Sequence, residues 1–293
     1  MRATIGRRAN EIYRAVRCRN RVVSRYIFNA GAVREHRRHT VELSPAAAAL
    51  ADRLIADGVA SAPAVDVVGD VELIARVRQR AQELYDSPRP ERDPLKPYLF
   101  QLLGENPELR PEDPLLHFAL DPQIRGIAER YCGMRLRVQD LNVWVNEPTD
   151  APAQQSQRWH RDVPEDHDIV KCFFYLSDVT PAAGPMAYVA GTNTPEGRKI
   201  KMSTEYDGGG YRLSDEDVAA AFRSERTVTA EGPAGTVIFA DTLGVHRGGH
   251  ATGAERVVLQ ITYGSHASLR RARLRAAEGV APEALPDVRL ATV

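Results

Sequence analysis

The sequence has few cysteines, no long hydrophobic run and no excess of either charge. Its three cysteines, Cys18, Cys132 and Cys172, lie far apart with no CxxC pair, which argues against a disulfide framework and against a zinc cluster. No apolar run approaches the roughly 20 residues that cross a bilayer, and the first residues lack the apolar core of a secretory signal. We therefore expect a cytoplasmic protein that is neither secreted nor integral to a membrane.

The charge balance gives no indication of a nucleic acid partner, because Lys plus Arg and Asp plus Glu are both 39. The distribution is uneven, since eleven arginines fall within residues 1–38. Apolar residues recur there at helical spacing and predict a basic amphipathic helix up to about residue 27, at Ile5, Ala9, Ile12 and Val16. Such a helix could lie on an anionic membrane, although packing on its own domain or on a second subunit is the favoured interpretation.

The first 130 residues have mainly helical patterns. An Ala-rich stretch predicts a helix over residues 45–57 that ends at Gly58, and further helices are predicted over 71–85 and 122–131. Between the second and third of these helices, a series of prolines at positions 88, 90, 94 and 97 indicates an irregular connection. We interpret residues 1–44 as a basic N-terminal helical segment and residues 45–132 as a helical part that braces the rest.

After Gly133 the pattern changes to short β-type runs separated by turn residues. The predicted strands are 135–146, 169–176, 186–190, 236–240 and 256–263. Few helical stretches lie between them, which favours a mainly β fold, an antiparallel barrel or sandwich with flanking helices, over a doubly wound sheet. A polar insert at 194–231, with the glycine-rich DGGGY at 207–211 and a short helix at 214–222, is either a mobile lid or a surface loop.

The stretch QRWHRD at 157–162 contains candidate metal ligands. On an extended strand His160 and Asp162 project to the same side, so they can hold one ion together. His246 follows an apolar strand, and two histidines with one carboxylate form the facial triad of non-haem Fe(II) oxygenases. An HxD pair alone is more often a salt-bridged surface turn. His250 is a rival ligand, but it falls in the turn, so His246 is preferred.

Arg256 begins the next predicted strand, ten residues after His246. A turn between the two strands would place its guanidinium at the back of the same pocket. Because guanidinium binds a carboxylate through two parallel hydrogen bonds, this arrangement predicts an acidic co-substrate. The alternative is a surface arginine near a turn.

Several residues near these motifs are expected to be structural. His167 and His266 are interpreted as exposed or satisfied polar residues, and Asp241 as a turn-forming residue rather than an acceptor for a ligand histidine. The predicted strand 169–176 has two alternating faces, and one of them must meet the barrel interior. The alternation does not decide which face this is. The inward set is either Lys171, Phe173 and Tyr175, or Cys172, Phe174 and Leu176.

Four segments over residues 133–266 resemble one protein family in their order and spacing: WHRD, IVKCFFYLSDVTPAAGPMAYVAGT, GTVIFADTLGVHRGG and Arg256. They are similar to the phytanoyl-CoA dioxygenase (PhyH-like) family of Fe(II)/2-oxoglutarate-dependent oxygenases. The resemblance implies a double-stranded β-helix, or jelly roll, with Fe(II) held by the two histidines and Asp162 and with 2-oxoglutarate bound to the iron and to Arg256. It also implies polar side chains from the strand before the HxD motif, for which Asn142 is preferred over Asn146.

Two positions depart from the family pattern. Gly248 stands where the family commonly has Ser or Thr two residues after the distal histidine, and Asn193 ends a GTN where the family commonly has GSH or GTH. Both departures leave the ligands in place. Halogenating relatives replace the carboxylate ligand by a small residue, so Asp162 favours hydroxylation, desaturation or oxidative cyclisation.

The expected function is therefore an Fe(II)- and 2-oxoglutarate-dependent dioxygenase that uses dioxygen to oxidise an unactivated C–H bond of a small molecule. The Ala- and Arg-rich composition is associated with bacterial genomes in which such enzymes act in specialised metabolism. The catalytic core is expected at 133–266 and a C-terminal tail at 267–293.

One alternative function is that of a non-catalytic jelly-roll module that docks on an anionic partner or membrane through the basic helix. Another, a cupin-like metal isomerase or epimerase, would usually show a cluster of three or four His and Glu ligands on neighbouring strands, and the sequence shows no such cluster.

Overall fold

Helices form most of the amino-terminal part of the chain, and strands form most of the remainder. The computed structural model describes residues 20–92, 94, 96–162, 166–200, 204–206, 211–222 and 226–291. Within these residues the α-helices longer than one turn are Ala30–Arg38, Pro45–Asp57, Ala64–Val68, Val71–Asp86, Pro114–Leu120, Pro122–Cys132, Pro195–Lys199 and Asp215–Ala221. The strands are β1 Val59–Pro63, β2 Leu99–Gln101, β3 Glu108–Leu109, β4 Arg137–Asn146, β5 Ile169–Tyr175, β6 Met186–Val189, β7 Glu205–Tyr206, β8 Tyr211–Arg212, β9 Thr227–Ala230, β10 Thr236–Ala240, β11 His246–Arg247, β12 Arg256–Gly264 and β13 Arg275–Ala276.

The predicted basic helix falls largely on residues 1–19, which lie outside the described part of the chain. The described end of this segment begins with a helical turn, Arg21–Val23, and continues as a π-helix, Ser24–Phe28. It is joined to its own chain by Arg25, which donates hydrogen bonds to the carbonyls of Cys132 and Gly133. None of the described helices is long and apolar enough to cross a membrane.

Local end signals set the bounds of the predicted helices. The Ser44 side chain accepts a hydrogen bond from the backbone N–H of Ala47 and caps the helix Pro45–Asp57, which ends at Gly58 with a φ of 81°. Asp70 and Asp121 cap the helices Val71–Asp86 and Pro122–Cys132 in the same way. All three predicted helices are present to within one residue at each end. The helix Pro114–Leu120 was not predicted.

Two antiparallel sheets face each other around the candidate site. Within the described residues, one sheet has the order β1-β10-β5-β12-β4-β2 and the other has the order β11-β6-β9. All five predicted strands are present, with ends that differ by at most two residues. Strand β1 was not predicted, because its sequence VASAP lacks apolar alternation. It lies at the edge of its sheet and pairs with β10, where a terminal proline is tolerated.

The main core lies between the amino-terminal helices and the outer face of the larger sheet. Leu50 and Phe118 from the helices are fully buried in the same cluster as Cys172 and Phe174 from β5. The rings of Phe118 and Phe174 are 4.9 Å apart. The carboxy-terminal residues join this core through Leu274, Leu285 and Val288, and β13 pairs with β3. Burial of one sheet face by helices leaves the opposite face to line a cavity.

Candidate metal centre

His160, Asp162 and His246 lie together because the HxD segment pairs with β11 and with the turn before it. Their candidate ligand atoms all lie within 4.8 Å of one another, and His160 Nε2 is 3.9 Å from Asp162 Oδ1. The backbones of His160 and His246 exchange two hydrogen bonds of 2.8 and 2.9 Å, which join the HxD segment to β11. Asp162 is held by a third bond from its N–H to the carbonyl of Thr242, at 2.9 Å. Backbone pairing therefore aligns residues that are 80 or more positions apart in the sequence.

Each histidine is oriented by a backbone carbonyl. His160 Nδ1 lies 2.8 Å from the carbonyl oxygen of Arg158, and His246 Nδ1 lies 3.0 Å from that of Gly244. A carbonyl accepts only, so Nδ1 carries the proton and Nε2 keeps its lone pair for a metal. Asp241 is not the acceptor for a ligand histidine, because it accepts hydrogen bonds from Tyr131 Oη and the backbone N–H of Leu243. This agrees with its expected structural role.

The electrostatics of the centre keep the three side chains in the protonation states that a metal requires. Burial lowers the pKa of both histidines, and for His160 the neighbouring His246 lowers it further. Burial alone would raise the pKa of Asp162, but the charge of the Lys171 ammonium holds it well below its ordinary value. Two neutral imidazoles and one carboxylate are therefore present at neutral pH.

Strand β5 contributes a residue that the sequence left undecided. Lys171, Phe173 and Tyr175 line the cavity, while the alternate residues Cys172 and Phe174 face the helices. The Nζ atom of Lys171 is 2.6 Å from Asp162 Oδ2. The inner face of β5 therefore places an ammonium beside one candidate ligand.

Arg256 lies in the same cavity at the start of β12. It is buried, and its Nη1 donates hydrogen bonds to the carbonyls of Gly184 and Gly248. Two hydroxyl groups that were not predicted also line this end of the cavity, Tyr98 Oη and Ser156 Oγ, 2.9 Å apart. The carbonyl of Ser156 accepts a 2.7 Å hydrogen bond from Gly248 N–H, so these hydroxyls are next to the position where the family commonly has Ser or Thr.

The two candidate asparagines of β4 differ in their surroundings. Asn142 accepts a hydrogen bond from the N–H of Leu103 and donates one to the carbonyl of Gly104, at 3.0 and 2.8 Å, and it does not line the cavity. Asn146 lines the cavity and lies opposite Arg256 in the sheet. Its buried Nδ2 has no hydrogen-bond partner among the described residues. The geometry thus favours Asn146, whereas the sequence favoured Asn142.

The cavity has a volume of about 1200 Å³, which exceeds the common size of a small-molecule pocket. His250 is outside it and bonds through Nε2 to the carbonyl of Thr149, at 2.9 Å. His266 is exposed, as expected. His167 differs from expectation, because it lines the cavity with a buried Nδ1 that has no hydrogen-bond partner in the described part of the chain. No sequence signal marked His167, Tyr98 or Ser156, since none belongs to a motif.

The sequence profile of the family described as Phytanoyl-CoA dioxygenase (PhyH) matches residues 56–258. The chain belongs to this family. Membership in the phytanoyl-CoA dioxygenase family confirms the predicted class, an Fe(II)- and 2-oxoglutarate-dependent oxygenase, and its cofactors. A comparison with curated proteins finds no match.

Solved structures share the fold of this family member at low sequence identity. EctD from S. alaskensis, solved with 2-oxoglutarate and 5-hydroxyectoine, has a TM-score of 0.55 and 17% identity over 87% of this chain and 90% of its own. The epimerase SnoN, in complex with Fe3+, alpha ketoglutarate and nogalamycin RO, has a TM-score of 0.51 and 21% identity over 75% and 84%. The carbocyclase SnoK from nogalamycin biosynthesis has a TM-score of 0.50 and 21% identity over 76% and 85%.

Proposed function

We propose that this chain oxidises an unactivated C–H bond of a small molecule, by hydroxylation, desaturation or oxidative cyclisation, in bacterial specialised metabolism. The observation that carries the proposal is the convergence of His160, Asp162, His246 and Arg256 on one large cavity. The nogalamycin enzymes with a similar fold act in a natural-product pathway, which supports the same setting for this chain.

The donor set fits Fe(II). Two neutral imidazole nitrogens and one carboxylate are the ligands of a facial triad, and each imidazole is held by a carbonyl on its other nitrogen. The buried carboxylate stays ionised because the Lys171 ammonium lies beside it. We therefore assign His160, Asp162 and His246 as the iron ligands.

The remaining cavity donors fit 2-oxoglutarate. Asn146 Nδ2 and Trp144 Nε1 line the cavity as buried N–H groups without hydrogen-bond partners among the described residues. Such donors are costly to leave unpaired, so an acceptor such as a carboxylate is expected to satisfy them. Arg256, fixed through Nη1, has further N–H groups for a carboxylate. We assign Arg256 and Asn146 to the co-substrate, with Asn142 fixing the neighbouring backbone.

The chain's own residues orient the reactants and exclude water. When bound, Fe(II) and 2-oxoglutarate would supply the oxidising chemistry, which consumes dioxygen and converts the co-substrate to succinate and carbon dioxide. Phe173, Tyr175, Ile238 and Val258 give the cavity an apolar wall that can hold a target C–H bond near the ligands. The retained carboxylate of Asp162 favours oxygenation over halogenation.

We also propose the domain organisation that the sequence predicts. Residues 1–44 form a basic N-terminal segment, 45–132 a helical brace, 133–266 a double-stranded β-helix and 267–293 a tail. The insert 194–231 is assigned as a lid because Arg198, Ile200, Tyr211 and Leu213 line the cavity. Its GGG run, 208–210, lies outside the described residues. Limited proteolysis tests the lid, since Fe(II), co-substrate and substrate together are expected to slow cleavage of this insert.

An anaerobic titration with Fe(II) and 2-oxoglutarate tests the proposed function. The wild type is expected to develop the weak visible charge-transfer band of a bidentate chelate. His246→Ala and Arg256→Ala are expected to lose or weaken it, because one removes an iron ligand and the other a carboxylate partner. The matched controls are His39→Ala and Arg76→Ala, which change exposed residues and are expected to keep the band. A folded, iron-loaded wild type without a band would contradict the proposal.

The alternative of a non-catalytic module has less support. A site that has lost its function is expected to lose a ligand or the arginine, whereas all four residues are present and converge on one cavity. A protein that shows the band and releases succinate with a substrate would exclude this alternative. A protein that shows neither, but binds anionic vesicles through residues 1–38, would favour it.

A further inference from the structure

We infer that the substrate of this enzyme is a small organic oxyanion, and that Lys171 binds its negative group beside the iron ligands. The inference rests on the proposed function, because it places the substrate in the same cavity as the assigned metal ligands. It adds a substrate class and a further substrate-binding residue. The shared chemistry is a carboxylate or phosphate group on a mainly apolar body.

The wall of the cavity is strongly positive. Among the described residues that line it, eight are Lys or Arg and one, Asp162, is acidic, although the whole chain has 39 residues of each sign. Asp162 is already assigned to iron, and the charges of Fe(II) and 2-oxoglutarate are equal and opposite. The lining therefore keeps more cationic than anionic side chains after both have bound, even when Arg198 and Arg247, which pair with acidic side chains outside the lining, are set aside. A positive cavity with apolar walls concentrates anions, since the low dielectric strengthens each charge interaction.

Several of these cationic side chains already have partners, which leaves fewer of them as candidates to bind the substrate anion. Arg198 and Arg247 form ion pairs of 3.3 and 2.8 Å with acidic side chains, and Arg256 is assigned to the co-substrate. Arg161 donates its hydrogen bonds to the backbone carbonyls of residues 192, 197 and 243, so it fixes loops. Lys171 differs from all four, because its one ionic partner among the described residues is itself a candidate iron ligand.

The position of Lys171 suits an anion. Its side chain is 13% exposed and lines the cavity, and Nζ lies 2.6 Å from Asp162 Oδ2. An ammonium has three N–H donors, so contact with one carboxylate oxygen leaves donors for a second acceptor. With Fe(II) bound, the charge of the metal would itself keep Asp162 ionised, so a neutral donor would suffice to orient the carboxylate. A buried ammonium beside a metal cation is then costly. A substrate anion would offset that cost.

The surroundings of Lys171 indicate the shape of the substrate. Phe173 and Tyr175 follow it on the same face of β5, and Ile238 of β10 and Val258 of β12 lie on either side of that strand. An anionic group at Lys171 would therefore leave the apolar body of the substrate against these residues. Since Lys171 contacts an iron ligand, the oxidised carbon is expected within a few bonds of the anionic group.

Matched aryl probes test the inference. Enzyme loaded anaerobically with Fe(II) and saturating 2-oxoglutarate is titrated with phenylacetate, phenyl phosphate and the neutral phenylacetamide. The readout is the change that probe binding produces in the visible band. We expect at least one of the two anions to produce half of its change in the band at a concentration about tenfold lower than the amide requires. A tenfold difference corresponds to one hydrogen bond to a charged group. Phenylacetate and phenyl phosphate distinguish a carboxylate from a phosphate.

Three variants test whether Lys171 causes the preference for anionic over neutral probes. Lys171→Gln keeps an N–H donor for Asp162 but removes the charge, so it is expected to keep the band and lose the preference for anions. Lys171→Arg is expected to keep both. Arg76→Gln removes one charge from an exposed helix position and is expected to behave as the wild type. Loss of the band in Lys171→Gln would show that the lysine only holds the ligand set, and would overturn the inference.

The outcomes separate this inference from the proposed function. A wild type that shows the band but binds the amide as well as the anions would overturn the oxyanion inference and leave the oxygenase intact. The oxyanion inference would also be overturned if Lys171→Gln keeps the preference, or if the anions abolish the band until more 2-oxoglutarate is added. In that last case they compete for Arg256. Absence of the band from the wild type would instead contradict the proposed function itself.

Discussion

At the scale of single residues, similar side chains on one strand have different tasks because their neighbours differ. Asn142 and Asn146 are both buried on β4 and both point from the same face of the strand, four residues apart. The first satisfies the backbone of residues 103 and 104, and the second lies in the cavity with an unpartnered amide. Only the contacts of each residue, not its type or spacing, distinguish a structural asparagine from one that faces a ligand.

This pair gives a prediction at the residue scale. Asn146→Ala is expected to raise the 2-oxoglutarate concentration that half-saturates the visible band by about tenfold, through loss of one hydrogen bond to a charged group, with little change in stability. Asn142→Ala is expected to keep 2-oxoglutarate binding but to lower the free energy of unfolding by about 1–3 kcal/mol, because it leaves two backbone groups unpaired. Band titration and urea unfolding measure the two effects. Equal effects of both substitutions on the band would contradict the assignment.

At the scale of elements, β5 separates the core from the cavity. Its odd-numbered residues from Lys171 to Tyr175 face the site, and Cys172 and Phe174 face the helices. The strand can serve both purposes because successive side chains point to opposite faces. The same alternation in β12 places Arg256, Val258 and Gln260 in the cavity.

Truncation of two adjacent phenylalanines tests this division. Phe174→Ala removes a fully buried ring packed on Phe118, and it is expected to lower the free energy of unfolding by about 3–5 kcal/mol. Phe173→Ala is expected to cost about 1 kcal/mol, because its ring is half-buried against the cavity. The second variant should instead weaken binding of the aryl probes. Urea unfolding measures the stabilities, and a larger loss for Phe173→Ala would show that the strand faces are assigned the wrong way round.

At the scale of the whole molecule, the helix Ala30–Arg38 is joined to the residues before β4 by a 3.1 Å hydrogen bond from the N–H of Arg135 to the carbonyl of Ala32. His36 on this helix is a titratable residue near Arg135. Burial lowers its pKa, and the charges of Arg135, before β4, and of Arg25 lower it further. The folded protein therefore holds His36 neutral where the unfolded chain, with an ordinary pKa of 6.5, begins to bind a proton.

The sign of this effect predicts a loss of stability in acid. Because the unfolded chain binds the proton more readily than the folded protein, the free energy of unfolding decreases as the pH falls below about 6.5. We expect the free energy of unfolding of the wild type, relative to His36→Gln, to fall between about pH 7.5 and about pH 5.5. Urea unfolding of both proteins at the two pH values measures it. Parallel changes in the two proteins would exclude His36 as the cause.

The sequence alone determined the features that depend on neighbouring residues. An Ala-rich stretch that ends at a glycine predicted the helix Pro45–Asp57, and apolar runs between turn residues predicted β4, β5, β6, β10 and β12. The order and spacing of four segments, which contain the HxD motif, His246 and Arg256, predicted the family. These signals are local or lie in a fixed order along the chain, so they can be read without knowledge of which elements pack together.

Only the tertiary structure decided features that depend on distant partners. The edge strand β1 has little β propensity and forms because β10 offers its backbone groups for pairing. The inward face of β5 is decided by the helices that bury the other face, since alternation alone makes the two faces equivalent. Tyr98 and Ser156 reach the cavity through packing rather than through a motif. The sequence thus determined which chemistry the chain contains, and the contacts between remote segments decided which side chains share the cavity with it.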